Sequence, residues 1–85
     1  MVSWPMNIAT ASAKRISQLI EKNNLTQYRL AKEILISQNA MSSIVNGKNK
    51  SINTSTVFLI CKALNISVAE FYDDPVFDLS NIVIE

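Results

Sequence analysis

Four segments of this chain open with the same local device. An apolar residue is followed by a residue whose side-chain oxygen can cap a helix, and a second apolar residue stands four positions after the cap. Leu25-Thr26 pairs with Leu30, Ile36-Ser37 with Met41, Ile52-Asn53 with Val57, and Ile66-Ser67 with Phe71. The cap oxygen satisfies a backbone N–H that the first helical turn leaves unpaired, and the two apolar residues fix the angle at which the chain enters the helix. Ser67 also has Glu70 at the capping-box position. One such staple says little. Four of them in succession predict helices over 27–34, 38–46, 54–65 and 68–73.

An earlier helix is expected over 10–23, capped by Thr10 or Ser12. Ile16, Leu19 and Ile20 form its inner stripe, and Lys14, Arg15, Ser17 and Glu21 its outer arc. Asn23-Asn24 stops it. Gly47 and Asn65 are placed to take the left-handed conformation that ends helices three and four. Beyond Asp73-Asp74-Pro75 the pattern changes. Phe77-Asp78-Leu79-Ser80 alternates, and Ile82-Val83-Ile84 is β-branched, which favours an extended or β tail. The expected organisation is an N-terminal arm over 1–9, an all-α domain of five helices over 10–74 and a tail over 75–85.

With 85 residues the chain makes one small domain. One Gly excludes a P-loop or a dinucleotide fingerprint, both of which bring several glycines to phosphate. No His and a single Cys leave no zinc-finger ligand set and no Ser-His-Asp or Cys-His machinery, so neither a metal nor a cofactor is expected, and no enzymatic activity. Cys61 lies in the apolar run of helix four and reads as core; without a partner in the chain it suits a reducing compartment. That run, 57–61, is far short of the ~20 residues a membrane span needs, and no signal-peptide pattern is present. A cytoplasmic protein is expected.

The formal net charge of +1 hides a split. Residues 1–62 carry all eight bases, Lys14, Arg15, Lys22, Arg29, Lys32, Lys48, Lys50 and Lys62, against Glu21 and Glu33, a net of +6. Residues 63–85 hold Glu70, Asp73, Asp74, Asp78 and Glu85 and no base, a net of −5. A basic segment can attract a polyanion while the acidic end faces away.

Helices two and three are joined by only Leu35 to Ser37, so they must cross at a wide angle, as in a helix-turn-helix unit. On helix three, Ala40, Met41, Ile44 and Val45 can supply the packed side. Gln38, Asn39, Ser42 and Ser43 remain for the outer side. An amide donates and accepts together, so Gln38 or Asn39 can read adenine N6 and N7, while a serine hydroxyl fits a base edge or a phosphate. Gln27 opens helix two, where its amide can donate to a phosphate. Gly47-Lys48-Asn49-Lys50-Ser51 follows helix three with two cations and a hydroxyl, suited to neutralising a phosphate backbone without reading sequence. Arg29 and Lys32 add charge on helix two.

Taken in order, Leu25-Thr26-Gln27, Leu30-Ala31, Ile36-Ser37-Gln38, Ile44, Asn46-Gly47-Lys48 and Ala63-Leu64-Asn65-Ile66-Ser67 make residues 15–72 resemble the lambdoid-phage repressor and Cro family, the XRE-type helix-turn-helix proteins. The resemblance implies a repressor-like DNA-binding fold. It places Gln38, Asn39 and Ser43 where bases are read, Gln27 on phosphate and against the recognition helix, and Asn46 with the Lys48–Lys50–Ser51 loop on the backbone. Two positions depart from the family. Leu35 stands where a Gly is usual, and if that residue needs φ > 0 it costs roughly 1–2 kcal/mol. Ile20 and Val45 stand where some relatives carry an Arg–Glu pair.

The function expected is a sequence-specific transcriptional regulator, a repressor that occupies double-stranded operator DNA as a homodimer and blocks polymerase sterically. The apolar tail, with Val76, Phe77, Leu79, Ile82, Val83 and Ile84, would pair across the dimer axis or cover its own core. One alternative is the antitoxin of a toxin–antitoxin pair, with the tail binding a toxin protein. Another is a protein-interaction module that has lost DNA binding; a salt-dependent shift of DNA separates it from the first two.

Overall fold

A computed structural model describes residues 6–48 and 52–83. Five helices follow one another: α1 (Ile8–Lys22), α2 (Gln27–Glu33), α3 (Gln38–Val45), α4 (Thr54–Leu64) and α5 (Val68–Tyr72). Two short 3₁₀ turns, Pro75–Phe77 and Leu79–Asn81, close the chain. Lys50, Ser51 and Ile84, all singled out in the sequence, lie outside the described residues.

All four staples form. Thr26 Oγ1 accepts from the Arg29 N–H at 3.1 Å, Ser37 Oγ from Ala40 at 3.0 Å, Asn53 Oδ1 from Ser55 at 2.8 Å and Ser67 Oγ from Glu70 at 3.0 Å. Leu30, Met41, Val57 and Phe71 are buried, with Leu25, Ile36, Ile52 and Ile66 packed against the same cluster. The helix ends share a second device. Asn24, Leu35, Gly47 and Asn65 all adopt positive φ, between 55° and 64°. After each, the next amide reaches back past the helix end: Leu25 to the Ile20 carbonyl, Ile36 to Ala31, Lys48 to Ser43 and Ile66 to Cys61. These are Schellman closures, which satisfy the last carbonyls of a helix. Three connections therefore use one design, a left-handed residue, an apolar residue and a cap: Asn24-Leu25-Thr26, Leu35-Ile36-Ser37 and Asn65-Ile66-Ser67. The apolar residue ends one helix and staples the next, which keeps these connections short.

α1 packs on α3, α2 on α3 and α4, and α4 on α5. Ile16, Leu19, Leu30, Met41, Ile60 and Phe71 are almost wholly buried where these elements meet. Ile20 belongs to this cluster and Val45 packs against it, so both positions are apolar parts of the packing. Cys61 is buried, and burial pushes its thiol pKa up.

Three local expectations need correction. α1 starts at Ile8, two residues before the expected start, because Asn7 Oδ1 accepts from the Thr10 N–H at 2.8 Å and makes Asn7 the cap. Ser12 points inward instead, fully buried, its hydroxyl without a hydrogen-bond partner. Ala40, expected on the packed side of α3, is exposed. The tail is mostly turned rather than extended, because Asp74 and Asp78 each accept from the amide two residues on and cap a 3₁₀ turn. Only at Ile82 does it extend, in an isolated parallel bridge to Met6, closed by Met6 N–H to Asn81 O and Val83 N–H to Met6 O, both 2.8 Å. The tail thus lies on its own chain. The Phe77 ring packs 4.9 Å from Tyr72 and 6.0 Å from Phe71, centre to centre.

Candidate nucleic-acid interface

The interface grows from α3. Ser37 fixes its start, Met41 anchors it in the core, and Gly47 ends it against α1. A Cβ on Gly47 would lie 3.4 Å from the Thr10 Cα, and its φ of +64° disfavours any side chain. Successive residues turn by about 100° around a helix. Asn39, Ser42, Ser43 and Asn46 therefore share one arc, roughly opposite Met41, and Gln38 and Ala40 lie to its two sides. Gln38, Asn39, Ala40 and Asn46 are exposed; Ser42 and Ser43 are half-buried.

This arc carries amides and hydroxyls and no charge. Asn46 Nδ2 donates to Ser42 Oγ at 3.2 Å, which orients the serine and leaves the rest of the asparagine amide outward. Asn39 stands near the middle of the arc in the first turn, with both amide functions available to a base edge. Gln38 leans the other way: its Nε2 lies 3.4 Å from the Tyr28 carbonyl of α2, a long contact that sets its side chain beside the neighbouring helix. Ala40 was missed in the sequence because its size suits a core as readily as a surface. An exposed Ala in this turn can meet a thymine methyl.

Around the arc lie the charges. Gln27 is exposed at the first position of α2, and Arg29, Lys32 and Lys48 are exposed. Arg29 and Lys32 border an open cleft of about 420 Å³ with Glu33. The Lys48 amide is held by the Ser43 carbonyl at 3.1 Å, which aims the start of the loop past the end of α3. Lys50 and Ser51 are outside the described residues, so the structure describes seven of the nine expected contact residues.

Arg15 departs from its place on the solvent-facing arc. Its guanidinium donates from Nε to the Phe71 carbonyl at 2.7 Å and from Nη2 to the Glu70 carbonyl at 2.8 Å, and Nη1 is 3.3 Å from Asp74 Oδ2. It closes the end of α5 and is not free for a polyanion. Lys14, Lys22, Arg29, Lys32, Lys48 and Lys62 remain exposed. Among the described residues no group of three or more His, Cys, Asp or Glu could hold a metal, and no helix is long and apolar enough to cross a membrane.

Comparison with solved structures gives a similar fold in the clp gene regulator ClgR from C. glutamicum. The TM-score is 0.68 at 21% identity, covering 74% of this chain and 80% of that one. No curated protein sequence matches the chain. The family model of the Cro/C1-type HTH DNA-binding domain matches residues 15–75, a stretch that holds the capped α2–α3 unit, the polar arc of α3 and the loop after it. By that match the chain belongs to the Cro/C1-type helix-turn-helix DNA-binding family.

Proposed function

We propose that this DNA-binding regulator is a sequence-specific repressor that covers operator DNA as a dimer, with α3 of each protomer in the major groove. Asn39, Ser42 and Ser43 read base edges, with Gln38 at the side of the arc, and Gln27, Asn46 and Lys48 sit on phosphates with Lys50 and Ser51. The observation that carries this reading is the uncharged amide-and-hydroxyl arc of α3, flanked by exposed cations on α2 and after α3. Amides and hydroxyls discriminate bases, while cations bind any sequence. A helix of eight residues reaches only a few base pairs, so pairing of two protomers doubles the site.

Selection of bound duplexes from a random pool tests it. The expected product is a palindrome with half-sites about one helical turn apart. A pool that stays random, with binding that disappears at moderate salt, would contradict sequence reading. No observation favours the antitoxin reading: the tail it would use packs Phe77 on the core and bridges Ile82 to Met6 of its own chain. The polar arc supports DNA binding over a protein-interaction module.

A further inference from the structure

Tyr28 is the most exposed aromatic side chain among the described residues, at 57%. It stands one turn before Lys32 on α2, and the Lys32 ammonium lies 5.6 Å from its ring centroid, within cation–π range. The Tyr28 backbone carbonyl receives the Gln38 amide from the first residue of α3. The ring is therefore rooted beside the leading turn of the helix read here as the recognition helix. In this fold the helix before the recognition helix crosses the sugar–phosphate backbone. An exposed phenol on that helix, with a cation on its ring and no acidic side chain paired to either among the described residues, matches a phosphodiester.

We propose that Tyr28 and Lys32 form a backbone anchor: the phenolic hydroxyl donates a hydrogen bond to one phosphate oxygen, and the Lys32 ammonium steadies the ring and neutralises that phosphate or its neighbour. The anchor rests on the DNA-binding reading above. It fixes the depth and register of α3 without reading sequence, because phosphate contacts position and base contacts specify.

The test compares wild type, Tyr28→Phe and Lys32→Ala on the selected operator and on a scrambled duplex. Tyr28→Phe keeps the ring and its cation, and an exposed position leaves the thermal midpoint unchanged. The expected loss is about tenfold on both duplexes, the range for a hydrogen bond to a charged group, with the salt slope unaltered. Lys32→Ala lowers the salt slope by about 1. Replacing operator phosphates one at a time by neutral methylphosphonates reveals one position where wild type weakens and Tyr28→Phe does not. A Tyr28→Phe protein that binds like wild type, or is sensitive at every position where wild type is, overturns the anchor while leaving DNA binding intact. A wild-type protein that binds neither duplex overturns the DNA-binding reading itself.

Discussion

Leu35 holds a left-handed backbone at φ +61° with its side chain 90% exposed. The Schellman closure after α2 needs that conformation, and a Leu gains no burial there to offset it. Leu35→Gly removes strain of roughly 1–2 kcal/mol and adds unfolded-state entropy worth about half of that. The expected net gain is about 0.5–1 kcal/mol, read as a higher urea midpoint with unchanged slope. A lower midpoint would mean that the Leu side chain makes a contact the free chain does not show. The need for φ > 0 was visible in the sequence only as a condition, because nothing in the string excludes another turn. Asn65 sits in the same backbone state and was easier to place, since Asn tolerates it better than Leu does; Asn24 was legible only as a helix stop.

At the scale of elements, the helix starts were legible because capping chemistry is local. Thr26, Ser37, Asn53 and Ser67 each need only residues two to four positions away. The start of α1 was not, because Asn7, Thr10 and Ser12 all offer cap oxygens and only packing decides which of them turns inward. Arg15 was misplaced for a related reason: its partners, Glu70, Phe71 and Asp74, are more than 50 residues distant. Arg15→Met should cost about 2 kcal/mol, the effect of leaving two carbonyls of α5 without a charged donor. Lys14→Met next to it should be near neutral, being exposed. Equal midpoints for the two variants in thermal melts would deny Arg15 this role. In the proposed complex the charge after α3 acts on DNA instead. Lys48→Ala should weaken every duplex alike and lower the salt slope by about 1; an unchanged slope removes that loop from the interface.

At the scale of the molecule, the acidic and basic segments meet through the Arg15–Asp74 ion pair among the described residues, and the tail turns back to pair Ile82 with Met6. The alternation that pointed to an extended tail was outweighed by Asp74 and Asp78, whose carboxylates cap turns. Accepting from Ser80 holds the Asp78 carboxyl below its usual pKa. Folding the tail leaves Leu79 outside it, 85% exposed, and leaves Phe58 and Leu59 on α4 at 55% and 42%. Those two patches stand beside other exposed apolar side chains, Leu35, Tyr72 and Val83 among them, and are two candidate surfaces for a dimer. Sedimentation of Leu79→Glu and Phe58→Glu is expected to show one variant monomeric and the other dimeric, since neither side chain supports the core. A dimer that survives both substitutions contradicts pairing through either of these two patches.

The central claim is that the polar arc of α3 reads bases. Asn39 stands in the middle of that arc with no side-chain bond drawing it away, and Gln38 leans on Tyr28. Repeating the random-pool selection with Asn39→Ala, Ser43→Ala and Gln38→Ala tests the claim most directly. Asn39→Ala should erase preference at one position per half-site, a discrimination of about 1–3 kcal/mol, while non-specific binding barely changes. Ser43→Ala should do so more weakly, and Gln38→Ala should combine relaxed preference with a loss on all sequences. Wild-type preference retained by all three variants would show that α3 is not the reader.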